Sequence, residues 1–94
     1  MSYKLRFHEL ALAEWKNLDN SVREPFKKKL VERLESPRVP AAALSGMADC
    51  YKIKLVRAGY RLVYRVEDET VVVTVIAVGK RDKSKVYDNA GSRL

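Results

Sequence analysis

The chain has a single cysteine, Cys50, and a single histidine, His8. One thiol excludes an intramolecular disulfide and suits a reducing compartment. The two residues together cannot supply a metal cluster of the usual soft ligands, so neither a metal nor another cofactor is expected. A histidine pair, the commonest acid–base apparatus, is also ruled out. Long hydrophobic runs are absent: the longest, Val71–Val78, is interrupted by Thr74 and is far too short to span a bilayer. The opening residues lack the apolar stretch of a secretion signal. A cytoplasmic protein with no membrane partner is therefore expected. Acidic residues are scarce as well, 12 against 19 lysines and arginines, which leaves a net charge of +7. A surplus of that size in so short a chain favours a polyanionic partner.

What remains is ordinary for one small globular domain over 1–94, with 47% apolar and 33% charged residues. Tyr3 to Phe7 alternates with period two and predicts a strand with Tyr3, Leu5 and Phe7 inward. His8 to Leu18 follows as a helix carrying Ala11, Trp15 and Leu18 on its apolar stripe, with His8 as a cap or surface residue. Asp19-Asn20 break it. Ser21-Val-Arg-Glu24 has capping-box spacing for a second helix, with Pro25 in the first turn and Val22, Phe26, Leu30 and Leu34 buried. Lys27, Lys28 and Lys29 lie mostly off that stripe, as a solvated face or a phosphate-contacting ridge. Ser36-Pro37 ends the helix, and a linker with one possible turn near Ala41–Leu44 leads onward.

Cys50–Leu55 and Tyr60–Val66 read as a hairpin closed at Gly59. Glu67–Glu69 is a polar turn. Thr70 to Val78 is β-branched and apolar on both faces, which predicts a central strand covered on both sides. Asp82 or Ser84 can cap a short last helix holding Val86, Tyr87 and Ala90, and Gly91-Ser92 predict a frayed tail. The fold class is α+β: an N-terminal strand, a helical hairpin, a three-stranded antiparallel meander and a short C-terminal helix. The two helices are expected on one sheet face, leaving the other for the cations.

The hairpin carries the chemistry. Pairing Leu55 with Tyr60 puts Tyr51, Ile53, Leu55, Tyr60, Leu62 and Tyr64 on one face, whereas a one-residue slip would bury Arg61. Lys54 then lies across from Arg61, with Lys52 one step along. Like charges placed opposite one another destabilise a sheet, so an anionic ligand is expected to offset the repulsion. Metal-free RNA cleavage needs a base for the ribose 2′-OH, charge on the phosphorane and an acid for the leaving 5′-oxygen. With no histidine or spare carboxylate on this face, a lysine could be the base only if its pKa fell sharply. Two cations about 6 Å apart at an effective dielectric of about 20 repel by roughly 2.8 kcal/mol, which works toward the neutral amine.

Several segments are together specific: Glu14-Trp15, Val22-Arg23-Glu24, Lys27–Glu32, Leu34–Arg38, Gly46-Met47, Asp49–Leu55, Gly59–Tyr64, Val78–Arg81 and Val86-Tyr87. On these the chain resembles the bacterial RelE toxin family along nearly its whole length. The resemblance implies a RelE-like fold and a ribosome-dependent endoribonuclease that cuts mRNA in the ribosomal A site. It implies Lys54 as general base, Arg81 as general acid, Lys52 and Arg61 as phosphorane stabilisers, and Tyr87 as a platform stacking on a codon base. Lys27, Lys28, Lys29, Arg65 and Lys80 are the expected RNA and ribosome contacts. The implied partners are a RelB-type antitoxin, the 70S ribosome with its mRNA and 16S rRNA, and operator DNA through the antitoxin. Ser45 departs from a close relative, which has arginine before Gly46. The alternative reading is a non-catalytic, ParE-like inhibitor of DNA gyrase.

Overall fold

The computed structural model describes residues 2–82 and 85–94. Strand β1 (Lys4–Phe7) leads into helices α1 (Glu9–Lys16) and α2 (Asn20–Glu35). A 3-10 turn at Pro40–Ala42 precedes strands β2 (Cys50–Leu55), β3 (Tyr60–Glu67) and β4 (Val72–Lys80), and helix α3 (Lys85–Arg93) follows. The sheet order is β1-β4-β3-β2, with β1 parallel to β4 and the other pairs antiparallel. The expected α+β order therefore holds, and β4 is the central strand that its β-branched composition predicts.

Helices α1 and α2 cover one face. Phe26, Leu30, Ile53, Leu62, Tyr64, Val73 and Val75 are buried there, with Trp15 packed between Phe7 and Phe26 at ring distances of 5.4 and 6.3 Å. The hairpin register is the one that the alternation predicts: Leu55 pairs with Tyr60, Lys54 with Arg61 and Lys52 with Val63. The opposite face is not left wholly to the cations. Its lower part forms a second core of Cys50, Val63, Ile76 and Ala77 under Val86 and Ala90 of α3.

Local details depart from expectation. Helix α1 runs from Glu9 to Lys16 rather than from His8 to Leu18, while His8 is the expected cap, its Nδ1 accepting from the Leu10 N–H at 3.1 Å. Helix α2 starts at Asn20 because Asp19, not Ser21, is its cap, accepting from the Ser21 N–H at 3.1 Å. Pro25 consequently falls beyond the first turn, where it withholds one N–H from the helical ladder. Leu5 is 39% exposed, because β1 is an edge strand that the helices only partly cover. The tail does not fray at Gly91; α3 continues to Arg93. Residues 83–84 lie outside those described, and with them the expected cap at Ser84.

Strand β4 contains a bulge. Val63 pairs with Ala77 but Tyr64 pairs with Val75, so Ile76 has no partner on β3. An extra residue flips the facing of everything after it. Val73 and Val75 face the helical hairpin; Ile76 and Ala77 both face α3; Val78 faces the hairpin again. Strand β1 ends opposite Val75, just short of the bulge. Two polar side chains meet there. Arg93 donates to the Ile76 carbonyl at 2.9 Å, and Glu14 accepts from the Val78 N–H at 3.1 Å. Arg93 and Glu14 also join each other through two 2.8 Å bonds.

The two candidate caps of α2 are separable. The Ser21 hydroxyl and then its N–H hold the Asp19 carboxyl below its ordinary 3.8, so the stabilisation is complete above that value and is lost as pH falls from it through the depressed one. Asp19→Ala is expected to lower the thermal midpoint by a few degrees at neutral pH, with the difference closing in acid. Glu24→Ala, which removes only an exposed contact to Lys27, is expected to change it far less. Midpoints followed by circular dichroism across pH check both.

Candidate functional site

Three strands contribute to one face. Lys52 and Lys54 alternate with buried Tyr51 and Ile53 on β2, and Arg61 lies opposite Lys54 on β3. On β4 the residue beside Arg61 is Gly79. The Arg81 N–H bonds the Gly59 carbonyl at 2.9 Å, extending the ladder one pair further. By strand alternation after the bulge, Arg81 shares the face of Gly79 and Arg61. Helix α3 closes this side: Val86 Cγ2 lies 3.4 Å from where a side chain on Gly79 would begin. Tyr87, next in the helix, is half-buried against the second core. The strand register thus places Lys52, Lys54, Arg61 and Arg81 toward one end of one sheet face, and Tyr87 is on the helix that closes that side.

Their surroundings differ. Lys54 and Arg81 are exposed and Lys52 is half-buried. Arg61 is only 7% exposed and is the one buried charged residue among those described. Its Nη1 donates to the Tyr60 carbonyl at 2.9 Å, yet among the described residues no carboxylate pairs with it. Lys52, Lys54 and Arg81 likewise form no ion pair within that set. A desolvated guanidinium without a counter-anion is costly, and a bound anion would offset the cost.

The expected binding residues divide. Lys29 reaches the site's flank, where a cleft of about 290 Å³ lies between α2 and the open edge of β2, lined also by Arg33, Lys52 and Lys54. Lys27 instead borders an apolar groove with Leu5, Trp15 and Val31, and pairs with Glu24 at 3.5 Å. Lys28 is exposed on α2, across the sheet from the site. Arg65 is on the correct face but at the far end of the hairpin, opposite Cys50 and 3.8 Å from Glu67. Lys80 is opposite Tyr60, so alternation turns it toward the hairpin side.

Arg33 of α2 is a functional residue that the sequence pattern does not single out. It bonds the Lys52 carbonyl at 3.2 Å and the Tyr64 hydroxyl at 2.8 Å, holding the edge strand that carries Lys52 and Lys54. The signal was present: Lys29 and Arg33 are four apart on a helix and share a side. Arg38 is a second such support. It bonds Asp68 at 2.7 Å, Asp49 at 2.9 Å and the Tyr51 hydroxyl at 3.2 Å, tying the linker to β2 and to the turn after β3.

The family follows from both sequence and fold. A family model described as "ParE toxin of type II toxin-antitoxin system, parDE" matches residues 5–84. The chain belongs to this family of small toxins. Within it the similarity is to RelE. The chain is 62% identical over 94 residues to the mRNA interferase toxin RelE of Escherichia coli (strain K12), covering all of this chain and 99% of that one. A free E. coli RelE carrying two arginine-to-alanine substitutions superposes with a TM-score of 0.92 at 61% identity, covering 100% of this chain and 99% of that one. The toxin in the intact E. coli RelBE toxin–antitoxin complex superposes at 0.84 with 62% identity, over 87% of this chain and 100% of that one.

The unpaired Arg61 generates a test that does not depend on the reaction. Arg61→Met keeps the apolar stem and removes the buried charge, so its thermal midpoint is expected to equal or exceed that of the unsubstituted protein. Inorganic phosphate at constant ionic strength is expected to raise the midpoint of the unsubstituted protein and not that of Arg61→Met. A drop of several degrees in Arg61→Met without phosphate would make Arg61 a structural residue instead.

Proposed function

We propose that this protein is the toxin of a type II toxin–antitoxin system and acts as a ribosome-dependent endoribonuclease on mRNA in the ribosomal A site. The observation that carries the reading is Arg61, desolvated and without an ion pair among the described residues, beside Lys52, Lys54 and Arg81 on a face flanked by Tyr87. It stands in a chain that matches an mRNA interferase from end to end. Lys54 takes the proton of the ribose 2′-OH. The 2′-oxygen attacks the adjacent phosphorus, and Lys52 and Arg61 stabilise the charge of the phosphorane. The bond to the 5′-oxygen breaks, and Arg81 supplies the proton to that oxygen. The products are a 2′,3′-cyclic phosphate and a 5′-hydroxyl, and no step calls for a metal. Tyr87 stacks on a codon base and orients the attacking hydroxyl.

Lys29 and Arg33, on the flank of Lys52 and Lys54, suit 16S rRNA or mRNA phosphates. A RelB-type antitoxin is the inhibitory partner, by relation to the RelBE complex, and through it the protein contacts operator DNA as a co-repressor. The +7 charge fits an acidic antitoxin and a ribosomal partner alike.

Dispersed lysines and arginines give slow chemistry unless the substrate is held in line, and positioning supplies several kcal/mol. Purified protein is therefore expected to cut mRNA on the ribosome readily and the same RNA free in solution barely at all. Comparable rates on both would remove the ribosome from the reading. Inhibition of DNA gyrase with no RNA cleavage would replace it with the ParE-like one.

Lys54 provides the sharper test. Lys54→Ala is expected to lower single-turnover cleavage by about 10²–10⁴-fold, the usual span for general acid–base catalysis. Ribosome affinity should change little, because the other cations supply it. Lys54→Arg keeps the charge but cannot accept a proton near neutral pH, so it should fail as the alanine does. Near-normal cleavage by Lys54→Arg would reduce Lys54 to a phosphate anchor.

A further inference from the structure

Helix α3 ends on a residue that is held more firmly than its neighbours in sequence allow. Gly91 and Ser92 are poor helix formers, and a nine-residue helix is marginal by itself. Only Val86 and Ala90 are buried from it. Yet the Arg93 side chain, on the same stripe as Val86 and Ala90, is only 11% exposed, and its partner Glu14 is 27% exposed. The guanidinium makes a two-bonded pair with the Glu14 carboxylate, 2.8 Å at each contact, and its Nη1 also donates to the Ile76 carbonyl at 2.9 Å. Glu14 Oε1 accepts in addition from the Val78 N–H at 3.1 Å. One charged pair thus joins α1, the bulge of β4 and the last turn of α3.

The two places it joins both lead to the site. Val78 is three pairs before the ladder bond that fixes Arg81, and α3 carries Tyr87 in its first turn. With so few apolar contacts beneath it, the direction in which α3 lies across β4 depends on where its far end is fastened. A helix pivoting about Val86 would swing Tyr87 relative to Arg61 and Arg81. Bidentate arginine–carboxylate geometry fixes direction as well as distance, which a single apolar contact does not.

We propose that Glu14 and Arg93 are positioning residues of the cleavage site: by clamping the last turn of α3 to the bulged strand they hold Tyr87 where it orients the attacking hydroxyl. The proposal rests on the reading of Tyr87 given above, and neither residue touches the RNA.

The test combines hydrogen exchange with a mutant cycle on the full-length protein. Arg93→Ala, and Glu14→Gln as a near-isosteric second variant, are expected to raise amide exchange across α3 by about tenfold or more while the β2–β3 amides stay protected. Single-turnover cleavage of ribosome-bound mRNA should fall about 10- to 100-fold, the scale of a small misplacement, with ribosome affinity unchanged. Arg93→Lys should recover part of the rate, since one of the two bonds can re-form. In a Tyr87→Ala background, Arg93→Ala should cost less than about twofold further, because a residue acting through Tyr87 has nothing left to position. Unaltered α3 exchange in both single variants, or fully additive losses in the double variant, would overturn the proposal. Undiminished cleavage by Tyr87→Ala would overturn the assignment of Tyr87 itself. That outcome is distinct from undiminished cleavage by Arg93→Ala in a protein that still needs Tyr87, which would sink only the clamp.

Discussion

The bulge at Ile76 separates the half of β4 that pairs with β1 from the half that ends at the site. Side chains alternate along a strand, so one unpaired residue exchanges the two faces for everything beyond it. Before the bulge, Val73 and Val75 pack under the helical hairpin; after it, Gly79 and Arg81 share the face of Arg61. A regular β4 would carry Lys80 to the cationic face and turn Arg81 toward the hairpin side. The same bulge gives α3 two adjacent apolar residues, Ile76 and Ala77, to rest on. It also leaves an Ile76 carbonyl that β1 does not reach, which Arg93 takes up.

Gathering cations works against folding. Lys54 and Arg61 are cross-strand neighbours of like charge, and Arg61 is desolvated with no carboxylate among the described residues. Other arginines of this chain are treated differently: Arg38 has Asp49 and Asp68, Arg65 has Glu67, and Arg93 has Glu14. These three arginines each have a carboxylate partner, whereas among the described residues none is placed where the cations converge. A face built in this way is destabilised until an anion arrives, and catalysis by electrostatic preorganisation requires just that condition.

Much of this was legible in the chain, for a definable reason. The hairpin has period-two alternation with arginine and lysine on one side, so its register has one acceptable solution. The resemblance to RelE added Arg81 and Tyr87, which no local pattern connects to Lys54. What stayed hidden depends on contacts between distant segments. The parallel pairing of β1 with β4 has no local signature, and an all-apolar run such as Val71–Val78 does not reveal where a bulge will fall. The binding residues separated for the same reason: Lys27, Lys28 and Lys29 are consecutive in sequence but splay around a helix, and only Lys29 faces the cleft beside Lys52 and Lys54. Asp19 outcompeted the capping-box pattern at Ser21 because either residue can cap, and the chain had already left α1 by Asn17.

The fraying expected from Gly91 and Ser92 fails on an ion pair whose partners are 79 residues apart. That a polar clamp rather than an apolar core holds α3 has a consequence for how the helix can be released. Burial works to raise the Glu14 carboxyl, but the Arg93 hydrogen bond, the Val78 N–H and the nearby positive charge outweigh it, and the group is held below its ordinary 4.5. Stabilisation of this sign is fully present above the ordinary value and disappears only as pH falls through the depressed one. Near neutrality acidity therefore does not open the clamp. An arginine held by one carboxylate can, however, be taken by another, and from α3 only Val86 and Ala90 are fully buried, with Tyr87 half-buried beside them. A partner that presented its own carboxylates and apolar residues would therefore compete directly with Glu14 and the second core for the helix that carries Tyr87.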